Sequence, residues 1–298
     1  MDDQDDSLTR FLLSRSGVRG AIVRLTDSWE QIRSRGDYPA ELVSWLGETA
    51  AAAALLTAHV KVSGRLSIQL KSPSSLRTLF ADCSQTGLLR GIALFDEPLP
   101  QPLRLDSLGE GTIMAITIER APSAGDPAQR YQGLVDVRAP DLAGAIEGYF
   151  AQSEQLPTRI LLAAGPGRAA GLLVQQLPGT HGDADGWTRA QALFDTLGQD
   201  ELLHTSPDLV LHRLFHEEQV ELLSRHELAF GCSCSRQRVG DVLLALGAEQ
   251  AMESIEASTG VVGVQCEFCG QRYSFDPVDL ELLFAGGGTE RASSRQLN

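Results

Sequence analysis

Two pairs of cysteines toward the C-terminal end carry the residue type and spacing that bind metal. They are Cys232-Ser233-Cys234 and, with thirty-one residues between Cys234 and Cys266, Cys266-Glu267-Phe268-Cys269. Four of the chain's five cysteines lie in these boxes. Each pair offers two thiolates from one tight turn, and the segment between them is long enough to fold back and complete the closed four-sulfur set that a tetrahedral zinc ion takes. Gly231 and Gly270 relax the backbone beside the turns. A plain zinc ribbon places two residues between paired ligands, whereas Cys232 and Cys234 have one between them. Their sulfurs are forced close together, which suits redox chemistry as well as metal binding. Two readings stay open on the residues alone: a permanently stapled zinc module that serves interactions, and a metal centre that responds to oxidants. A thioredoxin-like role for Cys266 and Cys269 fits poorly, because that motif opens a helix in a βαβ unit and here Tyr273-Ser274-Phe275 continues as strand.

No other constellation offers catalysis. Cys83 stands alone in Asp82-Cys83-Ser84 and reads as an ordinary partly buried thiol. The six histidines are scattered; His216 and His226 lie near the cysteine module, but four thiolates already fill a tetrahedral site. Gly165-Pro166-Gly167-Arg168 follows an apolar run without the G-x-G-x-x-G spacing or the following helix of a nucleotide loop, and reads as a turn joining two strands. Ser153-Glu154-Gln155 has no Ser-His-Asp or paired-carboxylate arrangement around it and reads as structural. The chain is not expected to be an enzyme.

The elements that must hold the cysteines belong to a chain of 298 residues, long enough for a large core plus smaller modules. Hydrophobic residues make up 43% and charged residues 21%, as in globular proteins. A formal net charge of −14 argues against nucleic acid as a partner, and residues 232–275 hold three basic side chains against five acidic ones. The acidic start, Met1-Asp2-Asp3-Gln4-Asp5-Asp6, is the opposite of a secretory signal, and Phe11-Leu12-Leu13 is too short for its apolar region. Residues 50–58 fall far short of a membrane span, so a cytoplasmic protein without membrane contact is expected. In that reducing compartment, grouped cysteines point to metal or redox chemistry.

Sequence patterning predicts an α+β fold in four parts. Residues 1–178 form an N-terminal mixed α/β core, with a β run at Gly20–Leu25 and a long helix over residues 37–60. Strands follow at 66–70, 88–94, 112–119, 131–137, 159–163 and 170–175, with a helix over 140–150. A polar, glycine-rich run at 179–186 opens a linker, 179–230, expected to be helical throughout and to depend on docking for its stability. The cysteine module occupies 231–285, with a helical stripe at Val239, Val242, Leu243 and Leu246, a short helix near Ala251, a hairpin flanking Cys266 and Cys269, and a last helix from Asp276-Pro277 through Phe284. Residues 286–298 are expected to be a disordered tail.

Several stretches together resemble the heat-shock protein 33 family of redox-regulated holdase chaperones. Cys232-Ser233-Cys234-Ser235-Arg236-Gln237-Arg238-Val239 and Cys266-Glu267-Phe268-Cys269 with Tyr273-Ser274-Phe275-Asp276 are similar to the family's zinc-ligand boxes. Tyr149-Phe150-Ala151-Gln152-Ser153-Glu154-Gln155-Leu156-Pro157-Thr158 resembles its N-terminal signature, and Arg213-Leu214-Phe215-His216-Glu217 the approach to the zinc module. The resemblance implies Zn2+ held by Cys232, Cys234, Cys266 and Cys269, with the reduced, zinc-loaded form inactive. It further implies that oxidation releases zinc, loosens module and linker, and exposes a surface that holds unfolding client proteins without ATP, with dimers forming on activation. Four cysteines admit three connectivities; the resemblance implies the pairing of neighbours, Cys232 with Cys234 and Cys266 with Cys269. Such a switch is physically sound, since structural zinc contributes about 10–16 kcal/mol of apparent folding free energy in small modules and thiolates are the form that oxidants attack.

Overall fold

The structure is a computed structural model that describes residues 6–59, 64–120, 129–179, 183–256 and 259–293. The chain divides into two compact units, Met1–Gly231 and Cys232–Asn298. In the first, β1 (Ser7–Leu13), β2 (Val18–Leu25), α1 (Asp27–Arg33) and α2 (Ala40–His59) lead into β3 (Gly64–Lys71), β4 (Leu76–Ser84) and β5 (Leu88–Phe95). Then come β6 (Ile113–Arg120), β7 (Gln129–Val135), α3 (Leu142–Tyr149), β8 (Thr158–Gly165) and β9 (Arg168–Gln176). Helices α4 (Gly186–Phe194), α5 (Gln199–His204) and α6 (Pro207–Phe215) precede β10 (Val220–Glu227) and β11 (Ala229–Phe230).

The strands form a five-stranded sheet ordered β10-β1-β2-β9-β8 and a six-stranded sheet ordered β11-β5-β4-β3-β6-β7. Helix α2 packs against strands of both, which explains its composition. A helix apolar on all sides must be covered on all sides, and Ala50 to Ala54 are each at most 2% exposed. Their small side chains let two sheets close on one helix, where the sequence pointed to burial of at least one face. Hairpin β8–β9 turns at Pro166-Gly167, with Gly167 at φ 82°, so the glycine-rich run is a strand turn as expected.

Three elements escaped the sequence reading: β1, which lies between β2 and β10; α1, whose buried Trp29 donates from Nε1 to the Gly165 carbonyl at 2.9 Å; and β4. Strand β4 breaks simple alternation because Asp82, 1% exposed, is buried between Arg65 and Arg90, which both pair with it. Cys83, the next residue, faces the core, and burial pushes its thiol up to about 12. The unit's second apolar cluster packs α4, α5 and α6 onto the five-stranded sheet through Phe194, Leu202, Val210, Leu211 and Phe215.

The expectation of a helical linker needs correction over its last fifth. Residues 220–230 are strands, not helix. A short 3-10 turn at His216–Glu218 ends at Gln219, whose φ of 56° stops helix propagation, and β1 offers a free edge on which β10 pairs antiparallel, Leu222 opposite Phe11. Local periodicity cannot see that edge. Residues 180–182 of the polar run lie outside the described residues.

The second unit contains α7 (Arg236–Leu246), α8 (Ala248–Glu253), the hairpin β12 (Val262–Gln265) and β13 (Arg272–Phe275), and α9 (Pro277–Ser293). Ser235 caps α7 by accepting from the Arg238 N–H, and Gly247 at φ 98° ends it. Among the described residues, the unit's buried apolar core is Leu243, Ala251, Val262, Phe275 and Leu280, with six partly buried side chains, Val239 and Tyr273 among them, packed against it. Val242 and Leu246 of the expected stripe stand more than half exposed. The last helix was expected to end at Phe284, with an irregular tail from 286; it runs to Ser293, since once nucleated each added residue gains a hydrogen bond. Residues 294–298 lie outside the described residues.

Candidate metal centre

The two cysteine boxes meet as two turns. The first follows an extended run and ends at the Ser235 cap; Arg238 fixes it by donating from Nη1 to the Ser233 carbonyl at 2.8 Å. The second is a knuckle inserted in hairpin β12–β13: the Cys266 N–H donates to the Gln271 carbonyl at 2.9 Å, and the Gly270 N–H to the Cys266 carbonyl at 2.8 Å. Gly270 takes φ 72°, a conformation that a side chain would strain.

These turns bring the sulfurs of Cys232, Cys234, Cys266 and Cys269 within 4.8 Å of one another. Two contacts cross between the boxes, Cys232 to Cys266 at 3.6 Å and Cys234 to Cys269 at 3.3 Å. Ligand sulfurs around a tetrahedral zinc stand roughly 3.8 Å apart at Zn–S distances of about 2.3 Å. All four side chains are half-buried.

The surroundings favour the ionised sulfurs only when a cation is present. Burial raises the Cys266 thiol and pushes that of Cys269 up to about 12; the Cys232 sulfur adds to the rise at Cys266, and the other three sulfurs add to it at Cys269. Against this, the backbone N–H groups of Cys269 and Phe268 point at the Cys266 sulfur and that of Gln271 at the Cys269 sulfur. The Tyr273 hydroxyl donates to the Cys234 sulfur at 3.2 Å, and this bond holds the phenol protonated, up to about 12. Crowded thiols with converging N–H and O–H donors suit a thiolate site that a soft cation would complete. The donor set fits a metal.

Behind the centre, Arg236 joins three elements. Its guanidinium lies 4.2 Å from the centroid of the Phe275 ring, donates from Nη1 to the Ser274 carbonyl at 2.7 Å, and donates from Nη2 to Asp279 at 2.8 Å. Asp276 and Asp279 also exchange backbone-to-carboxylate bonds that open α9. Sequence reasoning placed Arg236 and Tyr273 inside the boxes but not their tasks; only the register Val264 opposite Tyr273 reveals which sulfur the phenol meets. Cys83 takes no part, and no histidine belongs to the cluster among the described residues.

Fold and centre together define an α+β protein ending in a small four-thiol, metal-type module, and comparison with known proteins places that class. The Hsp33 protein family model matches residues 6–276. The chain is 42% identical to the 33 kDa chaperonin of Ectopseudomonas mendocina over 97% of its own length and 98% of that protein, and 40% identical to the 33 kDa chaperonin of Chromobacterium violaceum over 94% of both. The crystal structure of the 33 kDa chaperonin homologue from Thermotoga maritima shares its fold, with a TM-score of 0.77 at 21% identity over 96% of this chain and 99% of that one. The chain belongs to the Hsp33 family of chaperones, which are not enzymes. No helix among the described residues is long and apolar enough to cross a membrane.

Proposed function

We propose that this chain is an ATP-independent holdase switched by oxidation of Cys232, Cys234, Cys266 and Cys269, with Zn2+ as the resident metal. The observation that carries the reading is a four-sulfur centre in a unit whose buried apolar core, among the described residues, is five side chains. Zinc, when bound, holds the four sulfurs as thiolates and ties the two turns together. Such metal contributes about 10–16 kcal/mol to a small module, far more than burying five side chains at about 1.5–3 kcal/mol each can leave after chain entropy.

Each switching event withdraws two electrons from a sulfur pair. A thiolate attacks a hydroperoxide or hypochlorous acid, and the partner thiolate displaces the resulting leaving group to form the S–S bond. The reading pairs Cys232 with Cys234 and Cys266 with Cys269. Neighbour bonds leave no metal or covalent link between the two turns, so the unit opens and the segment leading into it loses support. The functional division follows as core 1–178, linker 179–230 and switch 231–285. Partners are unfolding client proteins, with a second copy of the chain on oxidation, in the cytoplasm; a net charge of −14 disfavours nucleic acid.

The test treats the reduced, metal-loaded protein with peroxide at raised temperature, or with hypochlorous acid, while a chromogenic chelator reports zinc and light scattering reports client aggregation. Zinc release with a gain in aggregation suppression is expected. Retained zinc, or release without that gain, identifies a static zinc-bearing interaction module instead.

A further inference from the structure

Three of the four sulfurs can be compared by the donors that face them. Those of Cys266 and Cys269 are approached by backbone N–H groups, which are fixed by the knuckle fold itself. The sulfur of Cys234 is approached by a side chain, the Tyr273 hydroxyl, at 3.2 Å. Tyr273 is held rigidly: it sits on β13 opposite Val264, packs against the unit's core, and is followed by Ser274, whose carbonyl is anchored by Arg236. An oriented hydroxyl on a thiolate withdraws electron density and covers one approach to it.

We propose that Tyr273 is a positioning residue for the switch, its hydroxyl holding Cys234 back from oxidation by hydrogen bonding to the sulfur. The assignment rests on the proposed redox reading of the four cysteines and deepens it. The affected step is attack of the Cys234 sulfur on the outer oxygen of a hydroperoxide: the S–O bond forms, the O–O bond breaks, and alkoxide or hydroxide leaves. The sulfur is oxidised by two electrons and the peroxide reduced. Cys232 thiolate then displaces hydroxide from the sulfenic sulfur, forming the S–S bond, and water protonates the departing oxygens. Density drawn from Cys234 toward the Tyr273 proton slows the first of these bonds to form.

The sulfur must give up part of this hydrogen bond as it attacks, so a bond of ordinary net strength slows the attack by about 3- to 10-fold. Tyr273→Phe removes the hydroxyl and keeps the ring that packs the core. Full-length, zinc-loaded Y273F and wild type are exposed to sub-stoichiometric hydrogen peroxide, quenched with an alkylating reagent, and mapped cysteine by cysteine. The expected result is faster loss of the Cys234 thiol in the variant, by about 3- to 10-fold, with early rates at Cys266 and Cys269 unchanged. A role in packing alone would raise all four rates together, and that outcome overturns the assignment, as does an unchanged Cys234 rate. Should Y273F fail to load zinc, 3-fluorotyrosine incorporated at position 273, a stronger donor on the same ring, must slow oxidation of Cys234 further, and an unchanged Cys234 rate rejects the proposal. If no cysteine of wild type reacts with peroxide, the redox reading itself is wrong, which is distinct from a reactive centre indifferent to Tyr273.

Discussion

Arg236 and Asp279 are joined at 2.8 Å across the back of the metal centre, so the helix that follows the first cysteine box is tied to the helix that follows the second. The carboxylate is held below the usual range by the Asp276 backbone N–H first and by Arg236 second. Both side chains are partly exposed, so the ion pair alone contributes little; the guanidinium stack on Phe275 and the bond to the Ser274 carbonyl supply the rest. Arg236→Leu is expected to destabilise the metal-loaded second unit by about 1 kcal/mol, and Arg236→Lys to recover only part, because an ammonium lacks the planar fork. Calorimetry of the loaded full-length chain measures both; equal stability of wild type and R236L would remove the clamp from the account.

In the first unit, burial first and the charge of Asp141 second push the Glu48 carboxyl up to about 8. Its folded value lies above its unfolded one, so the native state binds the proton more tightly. Stability is therefore highest below about pH 4.3 as far as this group is concerned, and is lost as pH rises toward 8. Glu48→Gln keeps the shape without the charge. It should flatten the pH dependence of the unfolding midpoint between pH 5 and 8 and stabilise the first unit at pH 8 by about 2–4 kcal/mol; a destabilised variant at pH 8 would contradict the buried-carboxyl assignment.

Glu218 shows the opposite sign. It is 1% exposed, bonded to Ser16, and accepts from Arg189 at 2.6 and 2.9 Å, which holds its carboxylate below the usual range. Its contribution is present above the unfolded value and fades as pH falls through the lowered one. The Ser16 bond ties the turn immediately before β10 to the β1–β2 hairpin, and the Arg189 pair ties it to α4. Glu218→Gln should cost about 2 kcal/mol near neutrality and abolish that part of the acid sensitivity, and hydrogen exchange should rise first in residues 216–227.

Disulfide mapping separates two outcomes with opposite consequences. Two sulfur contacts join different boxes, and Cys232 and Cys266 stand 34 positions apart. A bond there would constrain the unfolded unit by about 4 kcal/mol and keep the turns together. Neighbour bonds close loops too short to hold anything. Oxidised protein is expected to yield Cys232 bonded to Cys234 and Cys266 to Cys269, together with an opened second unit. Crossed pairs in a still-folded unit would mean that oxidation locks the module.

The four-cysteine cluster was legible because its chemistry is local: two short boxes and a chain long enough to join them. The hairpin around Cys266 and Cys269, the caps of α7 and the long helix were legible for the same reason. What escaped depends on distant partners. Strand β10 reads as a continuation of the helical linker until β1 supplies an edge, and β4 hides behind an Asp82 that only Arg65 and Arg90 make acceptable inside. The short α1 is placed by the burial of Trp29. Tyr273 was visible as a residue and silent as a donor, because its partner lies 39 positions away.

The central claim is that the second unit stays folded only while its sulfurs share a metal. Hydrogen exchange on fully reduced full-length protein, before and after stripping with a chelator, tests it most directly. Loss of protection across residues 232–285, with α2 and the strands beside it still protected, is the predicted result. Unchanged protection in 232–285 without metal would contradict it.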